Sequence, residues 1–158
     1  MAFQMKGQGA TEYLVLLAVV LIIALVSISL LGFFPGLASD AKITQSTTYW
    51  RGEARPISIV DSSFDTNGTG QVVVANNDAS GTIVINSASF TAANSNVTGT
   101  SSTQTTLASG DQATIDIDGA QGGASGATYE YTVQFNYTTA TGLSQIQFGT
   151  KTLMGKYH

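Results

Sequence analysis

The chain has 158 residues, of which 43% are hydrophobic and only 10% are charged, a composition that excludes a wholly disordered protein. Its net charge is −4, from 6 basic and 10 acidic side chains, so we expect no nucleic-acid partner, because phosphate binding needs clustered cations. Cysteine is absent and His158 is the single histidine; thiolate metal sites are excluded, and we expect no enzymatic activity, metal or cofactor.

An uncharged apolar segment near the start of the chain predicts a helix of membrane-spanning length. Residues 14–31 carry only Ser27 and Ser29 as polar side chains. From Tyr13 to Phe34 the segment has 22 residues, or about 33 Å as an α-helix, which matches a hydrocarbon core of about 30 Å. It is apolar on every side, so we expect it to be surrounded by lipid or by other apolar helices rather than by a soluble core.

The sequence changes character after this segment. Pro35 and Gly36 interrupt it, and because a proline inside a helix removes one hydrogen bond and clashes with the preceding turn, we expect a kink or a stop there. Residues 37–54 predict a weaker helix, since they are rich in Ser and Thr. We expect Tyr49 and Trp50 to plug the junction of helix and head; the alternative is an aromatic anchor at a membrane interface.

From Pro56 onward the pattern is that of β-strands. Residues 57–59 and 113–117 alternate apolar and polar side chains, as half-buried strands do. Residues 72–76 and 82–86 flank the turn-rich sequence NNDASG, which predicts a β-hairpin.

The clearest strand lies at residues 129–137, where period-two alternation predicts one buried and one solvent-facing side. Its apolar face consists of Tyr129, Tyr131, Val133, Phe135 and Tyr137. A last strand carries Ile146 and Phe148, and the low-complexity residues 98–109 and 119–126 predict loops, the second a flexible turn. About six to eight short strands in about 100 residues indicate an antiparallel, immunoglobulin-like β-sandwich. The expected fold class is therefore α+β, a long apolar helix followed by a β-sandwich head.

The amino-terminal residues form a pattern of their own. The sequence reads KGQGATEYLVLL from Lys6, and its informative positions are Lys6, Gly7, Gln8, Glu12, Tyr13 and Leu14. This pattern resembles the class III signal and assembly helix of archaeal type IV pilins. A secretory signal peptide fits less well, because the apolar segment is longer than a typical h-region and a carboxylate at its edge serves no export purpose.

The resemblance implies a processing site and a role. A membrane prepilin peptidase would cut between Gly7 and Gln8 and remove residues 1–7 as a leader. Residues 8–55 would then form the transmembrane and filament-core helix with its linker, and residues 56–158 the head. The precursor is expected in the cytoplasmic membrane, and the mature chain in an extracellular filament that serves surface adhesion. Its expected partners are further copies in a helical homopolymer, the peptidase and the pilus assembly machinery.

Glu12 is the candidate residue for subunit docking, together with the adjacent Tyr13 and Leu14. A carboxylate buried among helices must be paired, neutralised or hydrogen-bonded, and the α-amine of Gln8 on an adjacent subunit is a candidate partner that would fix axial register. Cyclisation of Gln8 to pyroglutamate would remove that amine. The alternative is an interfacial carboxylate stabilised by the helix dipole.

Two other groups of polar residues are candidate sites. Asn67, Asn96 and Asn136 begin N-glycosylation sequons, although such triplets also arise by chance in a chain with 21 threonines. We expect Asn67, in a DTNGTG turn, and Asn96, in a polar loop, to be accessible, and Asn136 to lie on the solvent-facing side of its strand. Asp116 and Asp118 share one face of a strand and have oxygen ligands suited to Ca²⁺. The sequence lacks a complete calcium loop, so a solvated strand edge that discourages edge pairing is the preferred interpretation.

A second function class remains open from the sequence. The chain would then be a β-sandwich binding protein at the cell surface, either held by an uncleaved membrane anchor or secreted after cleavage following Ala38. The mature amino terminus distinguishes the two classes. Gln8 indicates the filament subunit, whereas Met1 or Ser39 indicates the binding protein.

Overall fold

The structure is a computed structural model that describes residues 8–158, apart from the side chains of residues 8 and 33–35. It has the predicted α+β architecture, with one long apolar helix followed in the chain by two antiparallel sheets. The chain divides into two compact units, of which the first ends at Asp40 and the second is Ala41–His158. We call the second unit the head; it begins before Pro56.

Helix α1 spans Gln8–Thr48, so the predicted stop at Pro35 and Gly36 does not end it. The predicted weaker helix after Gly36 is present as far as Thr48, and a short π-helix, Tyr49–Glu53, follows. The helix continues past Pro35 because a proline removes only a single intrahelical hydrogen bond, and because the last turns of α1 are packed within the head. There the hydroxyls of Thr47 and Thr48 donate to carbonyl oxygens four residues earlier, over 3.0 and 2.9 Å.

The head contains all nine strands assigned in the described residues. In chain order they are β1 (Ile57–Phe64), β2 (Gly70–Asn76), β3 (Ile83–Ala92), β4 (Thr98–Ser101), β5 (Thr105–Leu107), β6 (Gln112–Ile117), β7 (Thr128–Thr138), β8 (Ser144–Phe148) and β9 (Leu153–Lys156). The first sheet has the order β1-β2-β6. The second has the order β4-β3-β7-β8, with β5 also paired to β3 and β9 to β7.

The predicted hairpin between β2 and β3 is wrong. β2 pairs with β1 and β6, while β3 pairs with strands of the other sheet. The NNDASG sequence carries the chain from one layer to the next, and the Asn76 side chain holds its start by donating to the Gly81 and Leu107 carbonyls, over 2.8 and 3.0 Å. A sandwich buries its apolar faces between two layers, so successive strands need not be neighbours.

The predicted buried face of β7 is confirmed and forms the middle of the core. Its five apolar residues are all buried, while the alternate residues are exposed or half-buried. Phe135 makes edge-on contacts with Trp50 and Phe90, with ring centroids 6.5 and 6.2 Å apart. Trp50 is 1% exposed and Tyr49 is also buried, so both belong to the core of the head and the interface-anchor alternative is wrong.

The end of the chain differs from the prediction. β8 is present, but Ile146 and Phe148 are 56% and 62% exposed, and the buried residue is Gln147. A further strand, β9, follows it. The low-complexity residues 98–109 are not a continuous loop, because they contain the short strands β4 and β5.

Three side chains satisfy backbone groups of edge strands. Ser46, near the end of α1, accepts from the Met154 N–H over 2.9 Å and donates to the Thr152 carbonyl over 2.8 Å. The Nε of Arg51 donates to the Val60 carbonyl over 2.6 Å. Gln147 accepts from the Ile57 N–H over 2.9 Å and donates to its carbonyl over 2.8 Å. Unpaired strand edges are thereby covered from within the head.

Candidate functional site

The residues predicted to direct assembly lie at the beginning of α1. Gly7 is outside the described residues, and Gln8 is the first residue of the helix. Glu12, Tyr13 and Leu14 occupy consecutive helical positions and are all exposed, Tyr13 by 65% and Leu14 by 60%. Successive residues of a helix are about 100° apart around its axis, so these three side chains face different directions.

Apolar side chains surround α1 from Tyr13 to Leu31. The large ones among them are 43–68% exposed, and none of the residues in the most apolar part of the helix is buried. The hydroxyl of Ser27 donates to the Ile23 carbonyl over 2.8 Å. Such a bond lets a serine lie in an apolar environment, because its donor is satisfied within the helix.

This surface fits association with lipid or with other helices. By length and composition α1 can cross a membrane. Transfer of one exposed Leu, Ile or Val side chain out of water is worth about 1.5–3 kcal/mol, so a helix apolar on all sides is poorly suited to water. It can be covered by lipid or by other apolar helices, and neither requires a covalent reaction.

Two of the three sequon asparagines lie in exposed turns of the head. Asn67 lies in the β1–β2 turn, where Asp65 Oδ1 accepts from the N–H groups of Asn67 and Thr69 over 2.9 and 2.8 Å. Asn96 lies in the β3–β4 turn, which is closed by the Ala92 N–H donating to the Val97 carbonyl over 2.9 Å. Both asparagine side chains are exposed, as their sequence context predicts.

The glycine-rich segment, residues 119–126, joins these two turns. It contains no strand, as predicted, but it is closely packed: Ala120 is buried and its N–H donates to the Gly68 carbonyl over 3.0 Å. On the other side, the Ser95 hydroxyl donates to Gln121 Oε1 over 2.6 Å. A Cβ at Gly122 would overlap the Thr66 carbonyl. We refer to residues 65–69, 93–97 and 119–122 together as the turn cluster.

The third sequon has a different environment. Asn136 lies on β7, which is paired on both sides, with Ser87 of β3 and Ile146 of β8 as its cross-strand neighbours. Its side chain is half-buried, and its Nδ2 donates to Ser87 Oγ over 2.9 Å. The hydroxyl of Thr138, the third residue of the sequon, accepts from Asn86 Nδ2 over 2.9 Å. Both functional groups of this sequon are therefore engaged within the sheet.

The aspartates considered for calcium lie at an edge. β6 is the outer strand of its sheet; Asp116 accepts from Gln71 Nε2 over 2.9 Å, and the backbone of Asp118 pairs with Thr100. Among residues 8–158 no group of three or more His, Cys, Asp or Glu side chains could hold a metal ion. The exposed Asp116 side chain fits the preferred interpretation of a solvated strand edge, whereas the backbone at Asp118 is paired.

A serine–histidine pair appears that the sequence did not indicate, because its members are 95 residues apart. Ser63 Oγ and His158 Nε2 lie 2.7 Å apart at an open groove of about 460 Å³, which Asp65 and Asp116 also line. Both members of the pair are exposed. Within the head no carboxylate is hydrogen-bonded to the imidazole, so the pair lacks the third group that orients a catalytic base.

Two local environments change acidities in the head. The backbone N–H of Thr69, with further help from Asn67, holds the pKa of the Asp65 carboxyl below its usual range. Burial raises the pKa of the Tyr129 and Tyr131 phenols, and the Tyr157 hydroxyl beside Tyr131 adds to the effect. Both shifts favour the protonation states that hold the fold together at neutral pH.

The chain matches no protein-family model and no curated protein.

Proposed function

We propose that this chain is a pilin, the structural subunit of an extracellular type IV pilus-like filament that polymerises through its N-terminal helix and serves surface adhesion. The observation that carries the proposal is the apolar surface on every side of α1, which is uncovered from Tyr13 to Leu31. A bundle of such helices, one from each subunit, covers this surface and leaves the polar head outside.

The amino-terminal pattern supports this role over that of a simple anchor. Gly7 and Gln8 form the proposed cleavage site for a prepilin peptidase, with Lys6 just before it and Glu12 at the fifth mature position. Residues 1–7 are the proposed leader. The precursor would lie in the cytoplasmic membrane with its head outside, and the assembly machinery would transfer it to the filament at the surface of an archaeal cell.

Glu12 has a defined part in this proposal. In the filament its carboxylate would be enclosed by apolar helices and would pair with the α-amine of Gln8 of a neighbouring subunit. Residues 13–39 carry no charged side chain, so a charge pair at Glu12 would set the axial position of each subunit. Apolar packing supplies affinity, and the pair supplies register.

The first test compares two substitutions in α1. Glu12→Ala is expected to leave membrane insertion and leader removal intact, because insertion depends on total hydrophobicity. It should strongly reduce filament yield, since breaking a buried pair costs about 3–5 kcal/mol. Val19→Leu, the control, should be tolerated within the cost of about 1–3 kcal/mol for overpacking.

The readouts are the yield of sheared filaments, electron microscopy and a membrane-fraction blot for each variant. Filament yield of Glu12→Ala equal to that of the unmodified chain would refute the docking role. Mass spectrometry of the mature amino terminus is the companion measurement. Gln8 with a free α-amine is the expected first residue. Pyroglutamate in its place would support the cleavage site and contradict the proposed pair with Glu12.

The alternative function is that of a membrane-anchored or secreted β-sandwich protein that binds a partner at the cell surface. The favouring observation is that α1 is long and apolar enough to anchor a single chain in a bilayer without any polymer. A mature chain that begins at Met1 or Ser39, with no filaments, would support this alternative.

A further inference from the structure

The three sequons are alike in sequence but not in accessibility. The side chains of Asn67 and Thr69, in the turn cluster, are both exposed. So are those of Asn96, also in the turn cluster, and of Thr98, the first residue of β4. The turns themselves are held by hydrogen bonds to the side chains of Asp65 in one case and Gln121 in the other. The bonds that these sequons make, between Asn67 and Asp65 and between the Thr98 and Thr91 hydroxyls 2.9 Å apart, lie at the exposed surface. An acceptor asparagine can therefore be presented to an enzyme from a turn, outside the paired strands.

The third sequon cannot be presented in this way. A transferase has to surround the asparagine amide, but Asn136 lies between β3 and β8 and its Nδ2 is bonded to Ser87. Modification there would break this bond, and recognition of the Thr138 hydroxyl by the transferase would break its bond with Asn86. The glycan would also lie on the middle of a paired sheet.

We propose that Asn67 and Asn96 are N-glycosylated and that Asn136 is not, so that the glycans emerge together from the turn cluster at one end of the sandwich. The donor would be an oligosaccharide linked to a lipid phosphate. The amide nitrogen displaces the lipid phosphate from C1 of the first sugar. An N–C bond forms, the C1–O bond to phosphate breaks, and the lipid phosphate leaves with the electron pair. The proton that the amide loses passes to solvent.

The surface chemistry of the head gives such glycans a physical role. Only 10% of the chain is charged, so few side chains hold water strongly at its surface. Val97, the middle residue of the second sequon, is 43% exposed. A glycan on Asn96 shields this apolar side chain and hydrates the end of the head.

The inference rests on the proposed function, because the acceptors meet a membrane transferase only if the head crosses the membrane. The test is site-resolved mass spectrometry of the full chain isolated from the cells that make it. We expect sugar-containing mass increments on Asn67 and Asn96 and an unmodified Asn136. Asn67→Gln and Asn96→Gln should each remove one increment, and Asn136→Gln should remove none.

A matched pair of variants separates the sequon from the asparagine itself. Thr69→Val keeps Asn67 and the shape of residue 69 but lacks the hydroxyl, and it should abolish the increment at Asn67. Thr69→Ser restores a sequon and should retain it. Unmodified Asn67 and Asn96, or equal occupancy at Asn136, would overturn the inference. Protease digestion of intact cells shows which proposal has failed: an accessible head without glycans leaves export intact, whereas a protected head contradicts the proposed function as well.

Discussion

Gly68 shows how much of the turn cluster depends on a single residue. Its φ of +87° lies in the left-handed region, which side chains with a Cβ rarely adopt. A Cβ at this position would also overlap the carbonyl oxygen of Ala120. The close approach of the two backbones is what joins the β1–β2 turn to the glycine-rich segment.

Substitution of Gly68 should therefore cost more than substitution of a glycine that has only the unusual backbone. Gly142 is the control, because its φ is +83° and a Cβ there meets nothing within 4 Å. We expect Gly142→Ala to lower the free energy of unfolding by about 1–2 kcal/mol. Gly68→Ala should lower it by about 1–3 kcal/mol more, because the backbone must shift. Urea unfolding of both variants measures this, and equal losses would show that the contact with Ala120 is unimportant.

The protonation of Tyr131 makes the stability of the core depend on pH in the alkaline range. Burial raises the pKa of its phenol, and its hydroxyl donates to the Gln121 carbonyl over 2.5 Å. The pKa of the Tyr131 phenol is higher in the folded head than in the unfolded chain, where it is about 10. The contribution of the protonated phenol to the free energy of unfolding is therefore complete below about pH 10. It is lost as the pH rises from there through the folded-state value.

Tyr131→Phe provides the measurement. At pH 7–9 the variant should be less stable by about 0.5–1.5 kcal/mol, because it lacks the hydrogen bonds of the hydroxyl. Above about pH 10 the difference in unfolding free energy should narrow, since only the unsubstituted head must keep this phenol protonated. Parallel stability curves from pH 8 to pH 11.5 would contradict a raised pKa.

At the scale of elements, β8 is a strand whose burial pattern is inverted. Its apolar residues Ile146 and Phe148 face outward, and its polar residue Gln147 is buried because it bonds both backbone groups of Ile57. A side-chain amide can donate and accept at once, so it replaces the missing partner strand at this point. The apolar outer side chains belong to the surface of the head.

Gln147→Ala should destabilise the head by about 2–4 kcal/mol, because it leaves the N–H and carbonyl groups of Ile57 without their partners. Ser144→Ala, at an exposed position of the same strand, should change the free energy of unfolding by less than about 0.5 kcal/mol. Thermal unfolding of the two variants decides the matter. A small effect of Gln147→Ala would mean that water replaces the amide without cost.

At the scale of the whole molecule, the head includes helical residues that precede its first strand. The last turns of α1 and the π-helix supply Trp50 to the core, and Ser46 to the backbone of β9. A fragment of residues 41–158 should therefore unfold cooperatively, whereas residues 56–158 should be less stable by at least about 3–5 kcal/mol, the usual cost of removing a large buried aromatic side chain. Circular dichroism during urea unfolding compares the two fragments, and equal midpoints would show that residues 41–55 add nothing.

The sequence alone determined the features that repeat along the chain. The unbroken apolar segment predicts the helix over residues 13–34, although not its continuation past Pro35 as part of α1. The strict alternation of residues 129–137 predicts the buried face of β7. Both signals depend on local sequence patterns. The exposure of Asn67 and Asn96 also follows from turn-forming neighbours. These predictions required no knowledge of which strands are adjacent.

Only the tertiary structure decided which segments meet. The apparent hairpin at NNDASG is a crossing between sheets, Gln147 is buried while Ile146 is exposed, and Asn136 is held by Ser87. Each outcome depends on a contact with a residue distant in sequence, and no local sequence pattern indicates which distant residue that will be. Periodicity states which side of a strand is apolar, but packing against a second layer decides which side is buried.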